Sequence, residues 1–300
     1  MTAAHNHSRG TNARWLVFGL GVALTGLALI FYLSREYHKS TLLQEERLLQ
    51  RAEIISRNTV LNLEALNNLL LSLQHAPLLR SGANVYNQRF EDLTKAMPGV
   101  RTMLALDAEG SVLVSSNVQL LGKNFSDRDY FKIPQQQAAA DRLYVSPPFR
   151  TTLNTYVINL SRVLRGPDGR FAGVVAASLD PDYFSALLAS VSYAPDMLSA
   201  LAHGDGLLFL MEPGRAAAIG KNLAVPGSFF SKHRDSGKVS SVQRGVVYAT
   251  GKKQMMAQIT IQPQSLKMNK PLVVAVSRDL AAIYAGWRKE AGLLALLFLA

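Results

Sequence analysis

The sequence of 300 residues contains no cysteine. This absence excludes disulfide bonds, thiolate catalysis and cysteine-ligated zinc. HExxH, GxSxG and P-loop motifs are also absent, the histidines are isolated apart from His5 and His7, and no carboxylates cluster at the spacing of metal ligands. We therefore predict that these residues hold no catalytic group, no metal ion and no cofactor.

Acidic residues are in the minority, with 21 Asp and Glu against 32 Lys and Arg, which gives a formal net charge of +11. The basic residues are scattered, and no run is longer than Lys252-Lys253. Scattered charge does not form the basic patch of a nucleic-acid interface, so we predict no nucleic-acid partner. The excess is compatible with an ordinary solvated surface and with a mild preference for anionic ligands.

A long hydrophobic run does occur near the start, over Trp15–Leu33, where Thr25 is the only plainly polar residue. About 20 such residues cross the hydrocarbon core as a helix. The segment that follows offers no small-residue cleavage site, so the run predicts an uncleaved anchor rather than a signal peptide. We expect a cytoplasmic tail over 1–13 and a transmembrane helix over 14–34.

A shorter apolar run, AGLLALLFLA, stands at the other end. Ten such residues are too few to span a bilayer, so we expect 286–300 to be the start of a second transmembrane helix that is cut off. Residues 35–285 then lie between two spans, which predicts an extracytoplasmic segment attached to a membrane. The alternative for the last residues is a buried terminal helix.

Two stretches of this segment repeat each other. Residues 103–125 and 199–223 both contain an apolar strand, a glycine turn after an acidic residue, a second apolar strand and a loop that ends in Gly-Lys-Asn. The acidic-glycine turns are typical of hairpins. The spacing is that of a small domain, so we predict two copies of one α+β module, over 81–185 and 186–285.

A helix is predicted over 35–80, because Glu36 to Gln74 contains neither glycine nor proline. Apolar residues recur along it at helical spacing. Two interpretations of this stripe remain open: it packs against the modules of the same chain, or it forms the seam of a dimer. The stripe comprises Leu48, Ala52, Ile55, Thr59, Leu66, Leu69 and Leu73.

Strands are predicted elsewhere at 143–145, 155–163, 171–179, 239–242, 246–250, 255–261 and 272–277. Asp180-Pro181 predicts the start of a short helix, with the aspartate as its cap and the proline in its first turn. A last helix is expected from Arg278 to Lys289, leading into the second span.

The stretch Ser126-Asp127-Arg128-Asp129-Tyr130-Phe131 concentrates charge and aromatic side chains. The spacing of Ser126 and Asp129 predicts a capping box at the start of a helix. That assignment accounts for the acidic residues and leaves Arg128 without a structural role. A guanidinium group matches the geometry of a carboxylate, so Arg128, with Tyr130 and Phe131, is a candidate ligand clamp.

These features together resemble the double Cache sensor domains of bacterial receptors, over about 34–285. The resemblance depends on the stretch above, on Leu143-Tyr144-Val145-Ser146, on Leu160-Ser161-Arg162 and on Asp168 to Val175. It implies the fold class α+β: a long N-terminal helix followed by two tandem PAS-like (Cache) modules, each an antiparallel sheet with flanking helices, between two transmembrane helices. The stretch Ser178–Phe184 is most similar to Cache segments that precede diguanylate cyclase domains.

The resemblance also implies a binding site in the first module. Family members that sense amino acids hold the ligand carboxylate with an arginine-aromatic unit, which Arg128, Tyr130 and Phe131 match, and with a tyrosine on the next strand, which Tyr144 matches. The two acids that hold the ligand's ammonium group correspond to Ser146 and Ser178. Without a carboxylate an ammonium group is costly to bury, so we expect an anion rather than an α-amino acid. Arg150 and Tyr156 are further candidate contacts, although ordinary surface and sheet positions explain them equally well.

We therefore predict the sensor region of a signalling protein of the bacterial inner membrane, with 35–285 periplasmic. It would bind a small molecule, of the carboxylate class, in the first module, form a homodimer and signal to a cytoplasmic output domain. The second module lacks an equivalent arginine and is expected to transmit without binding. The expected output is a diguanylate cyclase; alternatives are a histidine kinase or chemoreceptor, a ligand-free dimerisation scaffold, or an anchored hydrolase.

Overall fold

The computed structural model describes residues 7–74, 83–152, 154–214 and 216–300. The first part of the predicted tail and the predicted boundary at 80/81 lie outside these residues. The chain divides into two compact units: Met1–Arg47 with Leu280–Ala300, and Leu48–Asp279. Helix α1, His7–Gln74, has residues in both units, and we describe each unit by itself.

The smaller unit consists of helices. Besides the first part of α1 it contains α6, Leu280–Ile283, and α7, Ala285–Leu299. Tyr37 stacks on Tyr284 with ring centroids 4.7 Å apart, and Trp287 Nε1 donates to the Leu33 carbonyl at 2.9 Å. The helix predicted over Arg278–Lys289 is present from Leu280 but divided into α6 and α7, because Arg278 and Asp279 continue the last strand.

One helix in the described part of the chain, Trp15–Gln74 of α1, contains a stretch long and apolar enough to cross a membrane. The apolar side chains over 15–31 are largely exposed, as expected of a surface that faces lipid. Helix α7 is apolar over its last residues but only 15 residues long. The fold thus agrees with a membrane anchor at the start of α1.

The larger unit contains two antiparallel five-stranded sheets. The first has the order β2-β1-β7-β6-β3 and the second the order β10-β11-β12-β8-β9. A separate two-stranded ribbon, β4-β5, lies in the loop between β3 and β6. The strands of the first sheet and the ribbon are β1 Val100–Leu106, β2 Val112–Ser115, β3 Tyr144–Val145, β4 Phe149–Arg150, β5 Tyr156–Val157, β6 Asn159–Arg165 and β7 Phe171–Leu179. The strands of the second are β8 Leu198–His203, β9 Leu208–Glu212, β10 Ser240–Val246, β11 Lys253–Ile261 and β12 Leu272–Asp279.

Four short helices flank the sheets. They are α2 Ala83–Ala96, α3 Asp129–Gln137, α4 Pro181–Ser190 and α5 Phe229–Asp235. The predicted cap of α4 is confirmed, because the Asp180 side chain accepts from the backbone of Asp182 and Pro181 occupies the first turn. Of the two strands predicted at 239–242 and 246–250, the first lies in β10 apart from its first residue and the second was wrong. A single strand ends at Val246, and a turn at 247–251 replaces the second.

The buried stripe of α1 packs within its own chain. Leu48, Ala52, Ile55, Leu63 and Leu70 are fully buried in the larger unit. Of the two interpretations of the stripe, packing on the chain's own modules is therefore the one that the structure shows. Leu69 is only half-buried, because the buried face of the helix passes through Leu66 and Leu70 instead.

The side chains of β6 alternate between the two faces of the first sheet. Asn159 and Ser161 lie on the face of α3, where Ser161 Oγ donates to the Tyr130 carbonyl at 2.9 Å. Arg162 lies on the opposite face, where its Nε and Nη2 both donate to Asn67 Oδ1 of α1, at 3.0 and 2.8 Å. A single strand therefore contacts both the helix α3 and the long helix α1.

The predicted repeat is present in the structure. In each copy a hairpin is followed by a loop that returns to pair with it, through the bridges Ser111–Asn124 and Leu207–Asn222. Both loops pass through a glycine with positive φ, Gly122 at 71° and Gly220 at 80°. Glycine adopts this backbone conformation without the steric cost that a side chain would add.

Candidate ligand-binding site

The start of helix α3 differs from the predicted capping box, which was wrong. The helix begins at Asp129, its N-cap residue is Arg128, and the Arg128 side chain makes no capping hydrogen bond to the described residues. Ser126 Oγ instead donates to Asn124 Oδ1 at 2.6 Å, because the loop folds back on itself before the helix starts. Arg128 consequently has an extended backbone, with φ −85° and ψ 141°.

Above the first sheet lies a cleft of about 530 Å³, counting the space open to solvent. Its floor consists of β1, β6 and β7, and its walls are the start of α3 and the segment 149–152. A concave site with apolar walls and a few polar groups is typical of small-molecule binding. The lining residues are Arg101, Thr102, Leu104, Leu120, Phe125, Arg128, Tyr130, Phe149, Thr151, Thr152, Val157, Asn159 and Ser178.

Two guanidinium groups line this cleft. The Arg128 guanidinium lies over the Phe149 ring, 5.5 Å from its centroid, and its Nε is 3.9 Å from Asp127 Oδ1. Arg101 Nη1 is 3.6 Å from carboxylate oxygens of both Asp180 and Asp182. All three separations exceed hydrogen-bond length, so both groups retain donors that can face a ligand.

A polar row crosses the floor of the cleft. Ser178 pairs with Thr102 on one side and with Asn159 on the other, so the three side chains occupy neighbouring positions on three strands. Asn159 is 2% exposed, and its Oδ1 has no hydrogen-bond partner among the described residues. Such a buried, unpaired oxygen costs about 1–3 kcal/mol, which a ligand that donates a hydrogen bond would offset.

The lining of the cleft contains two arginines and, among the described residues, no carboxylate, which favours an anionic ligand. Tyr130 stacks on Phe149 with ring centroids 5.5 Å apart. Burial raises the pKa of the Tyr130 phenol, so this group is neutral at physiological pH. The Asp127, Asp180 and Asp182 carboxylates lie outside the lining but 3.6–3.9 Å from the two guanidinium groups, so they offset part of the positive charge.

Of the eight candidate residues, the structure brings Arg128, Tyr130 and Ser178 together around the cleft. Phe131 is fully buried behind it and packs edge-on against Phe171. The Tyr144 hydroxyl accepts from the Ala139 backbone at 3.0 Å, which holds the loop after α3.

The remaining three candidates also lie outside the lining. Ser146 Oγ donates to the Pro147 carbonyl and accepts from the Asn159 backbone. Arg150 is exposed and donates to Asn154 Oδ1 at 2.9 Å. The Tyr156 hydroxyl lies against Gly220 of the second repeat.

Sequence reasoning missed Arg101 and Asn159. Asn159 is the one polar side chain within Val157–Leu160, and this isolated amide in an apolar strand was the available signal. Arg101 gave no such signal, because β1 changes register between Val100 and Thr102 and the pattern of alternation is broken there. Within the segment 149–152 the sequence indicated only Arg150, whereas Phe149, Thr151 and Thr152 line the cleft and were missed.

No model of a protein family matches the sequence, and no curated protein matches it. Solved structures do match its fold. The extracellular domain of rpHK1S-Z16, assigned as a histidine kinase, shares 23% identity, with a TM-score of 0.72 over 82% of this chain and 99% of that one. The periplasmic sensory domain of the Campylobacter jejuni chemoreceptor Tlp1 shares 13% identity, with a TM-score of 0.63 over 82% and 98%. The ligand-binding domain of the Pseudomonas aeruginosa PAO1 chemoreceptor PctB, in complex with L-Gln, shares 15%, with a TM-score of 0.59 over 80% and 93%.

These likenesses show the fold class. The chain has an α+β fold in which a long N-terminal helix precedes two tandem modules, each an antiparallel sheet with flanking helices. This is the fold of extracellular sensory domains of histidine kinases and chemoreceptors.

Proposed function

We propose that the chain is the extracytoplasmic sensor region of a signalling protein of the bacterial inner membrane, and that it binds a small organic anion in the cleft above the first sheet. The observation that carries this proposal is the pair Arg101 and Arg128 on a cleft without a carboxylate in its lining. In this proposal the module that binds spans 81–185, the module next to the membrane spans 186–285, and both are Cache modules.

The proposed ligand is a carboxylate without an α-ammonium group. PctB binds L-Gln, but the positions where an ammonium group would need a carboxylate are Ser146 and Ser178 here, and Ser146 is occupied by the backbone. The unpaired Asn159 Oδ1 accepts a hydrogen bond, so a carboxylate that also carries a hydroxyl group would satisfy the cleft more fully than a simple one.

The test is isothermal titration calorimetry on the whole chain in detergent. The panel comprises acetate, succinate, malate, L-serine and L-glutamine. Removing one charge-assisted hydrogen bond of about 1.5–3 kcal/mol weakens binding roughly 10- to 100-fold. We expect Arg128→Gln and Arg101→Gln each to lose that much affinity for the carboxylate that binds.

Arg170→Gln is the matched control, because Arg170 is 88% exposed and lies in the hairpin after β6, away from the cleft. Equal affinities in Arg128→Gln and Arg170→Gln would exclude the clamp. Binding of L-serine in preference to every carboxylate would contradict the anion assignment. No detectable binding of any compound in the panel would favour the ligand-free dimerisation scaffold.

We propose a diguanylate cyclase as the output, on the similarity of Ser178–Phe184 to the segments that precede such domains. Synthesis of cyclic diguanylate from GTP by the full-length gene product would support it. Autophosphorylation on histidine would assign a histidine kinase instead. Methylation on glutamate would assign a chemoreceptor.

We also propose a homodimer. Ile54 and Leu61 of α1 are 42% and 64% exposed and lie seven residues apart, so they occupy one face of the helix. Sedimentation velocity in detergent tests this proposal. We expect a dimer for the natural chain and a shift toward monomer in Leu61→Glu.

A further inference from the structure

The two sheets can be superimposed by their strand register. In the first sheet Leu106 pairs with Val112 just after a register shift, and in the second Ala202 pairs with Leu208 just after the same kind of shift. These pairs place β1 and β8 in equivalent positions. The sheet orders then make β7 equivalent to β12 and β6 equivalent to β11.

A cavity occupies the equivalent position above the second sheet. It has about 530 Å³, counting the space open to solvent, and lies between the floor strands, α5 and the turn 247–250. The first sheet places Leu104 beside Ala176 at the centre of its floor, and the second places Ala200 beside Ala275. The exchange of a leucine for an alanine leaves space on the floor of the second cavity.

The polar row of the first cleft is apolar in the second. Thr102 corresponds to Leu198, because these residues pair with Ser178 and Ser277 respectively. Asn159, which also pairs with Ser178, corresponds to Met256, which pairs with Ser277. The Ser277 hydroxyl is within hydrogen-bond distance of the Leu198 carbonyl, at 3.5 Å, and does not line the cavity.

The second module also has no arginine at the position that corresponds to Arg128. The N-cap residue of α5 is Ser228, where that of α3 is Arg128, and the next aromatic positions are Phe229 and Phe230. Ser228 Oγ accepts from the Ser231 backbone at 3.1 Å and donates to the Leu223 carbonyl at 2.7 Å, so it is occupied within the protein. Of the described residues, none that lines this cavity carries a charge.

One polar group remains on the floor. Gln258, which pairs with Ala275, is 2% exposed, and its Oε1 accepts from Gln243 Nε2 at 3.1 Å. At the mouth Tyr248 is 45% exposed, and the Lys221 ammonium lies 4.3 Å from the centroid of its ring. The described lining is therefore mainly apolar, with the Gln258 amide on the floor and the hydroxyls of Ser228, Tyr248 and Thr250 elsewhere in the lining.

We propose that the second module binds a small, uncharged and mainly apolar molecule in this cavity. The chemistry follows from the lining: a buried apolar wall excludes a charged group, and the Gln258 amide can hydrogen-bond one polar substituent. This proposal changes the expectation that the second module only transmits. It does not depend on the anion site in the first module.

The probe for the test is 4-fluorophenol, which is uncharged at neutral pH, observed by ¹⁹F NMR with the whole chain in lipid nanodiscs. Empty nanodiscs measure partition of the probe into lipid. The variant Ala275→Leu fills the floor of the cavity and should weaken specific binding by about tenfold or more. Ala189→Leu, the same substitution at an exposed position of α4, is the matched control and should bind as the natural chain does.

The urea midpoint of Ala275→Leu, followed by circular dichroism, shows whether this variant is folded. Retention of 4-fluorophenol binding in Arg128→Gln would show that the cavity is separate from the cleft above the first sheet. Equal 4-fluorophenol binding in Ala275→Leu and Ala189→Leu would overturn the proposal, as would no specific binding beyond empty nanodiscs. Should Ala275→Leu fail to fold, Ala200→Leu repeats the test from the neighbouring strand.

Discussion

The buried guanidinium of Arg162 makes a specific prediction about stability. Its side chain is 3% exposed, its Nε and Nη2 share Asn67 Oδ1, and its Nη1 donates to the Ala140 carbonyl at 3.1 Å. Burial lowers the pKa of this guanidinium from its usual value, but arginine remains charged at neutral pH. Asn67→Leu removes one acceptor and leaves two charged donors without a partner.

The magnitude follows from the geometry. A hydrogen bond to a charged group contributes about 1.5–3 kcal/mol, so we expect Asn67→Leu to lower the free energy of unfolding by about 3 kcal/mol. Arg162→Met leaves the Asn67 amide unpaired and should cost about 1–3 kcal/mol. The double variant replaces both partners by apolar groups, and its stability should lie closer to that of the natural chain than that of Asn67→Leu does.

The assay is urea unfolding followed by circular dichroism, with stability taken from the midpoint and slope. Tryptophan fluorescence is unsuitable, because both tryptophans, Trp15 and Trp287, belong to the smaller unit. Conservative replacement Asn67→Asp keeps an acceptor and should retain more stability than Asn67→Leu. Strict additivity of Asn67→Leu and Arg162→Met would refute the reasoning, since additive effects mean that the two side chains do not interact.

Two further predictions concern a histidine and a pair of glycines. His233 is buried between the Ser241 and Thr260 hydroxyls, and burial lowers its pKa below the unfolded value of about 6.5. Unfolding therefore takes up a proton at acid pH. As the pH is lowered from about 7.5 to about 5, the urea concentration at the midpoint should decrease, and it should decrease less in His233→Gln. A Cβ at Gly173, where φ is 132°, would overlap the Leu106 carbonyl oxygen, whereas a Cβ at Gly169, also at positive φ, meets nothing. Gly173→Ala should thus be destabilised by at least about 2 kcal/mol more than Gly169→Ala in the same assay, and equal effects would contradict the clash.

Much of the fold could be predicted from local sequence. The absence of glycine and proline from Glu36 to Gln74 predicts the long helix, and the repeated acidic-glycine turns predict the hairpins. The bounds of individual strands were harder to predict from the sequence. Val242 and Val246 read as parts of two strands, and only the pairing of β10 with β11 shows that they belong to one.

The candidate site was less predictable than the fold. Arg128 and Tyr130 stand out because their neighbours in sequence form a compact cluster, but Arg101 and Asn159 reach the cleft only through the pairing of β1, β7 and β6. The direction of a side chain was a second difficulty. Tyr144 is close to α3, yet its hydroxyl holds a backbone amide instead of facing the cleft.

The alternation of β6 has a consequence for communication across the first sheet. Asn159 and Arg162 are three residues apart on one strand, and the first lies in the cleft while the second holds α1. A ligand that displaced this strand would move Asn159 and Arg162 together. Ligand binding in the cleft and the position of α1 against the sheet would then be coupled in one equilibrium. The ligand's influence on that equilibrium would be limited to its difference in affinity between the two positions of one seven-residue strand.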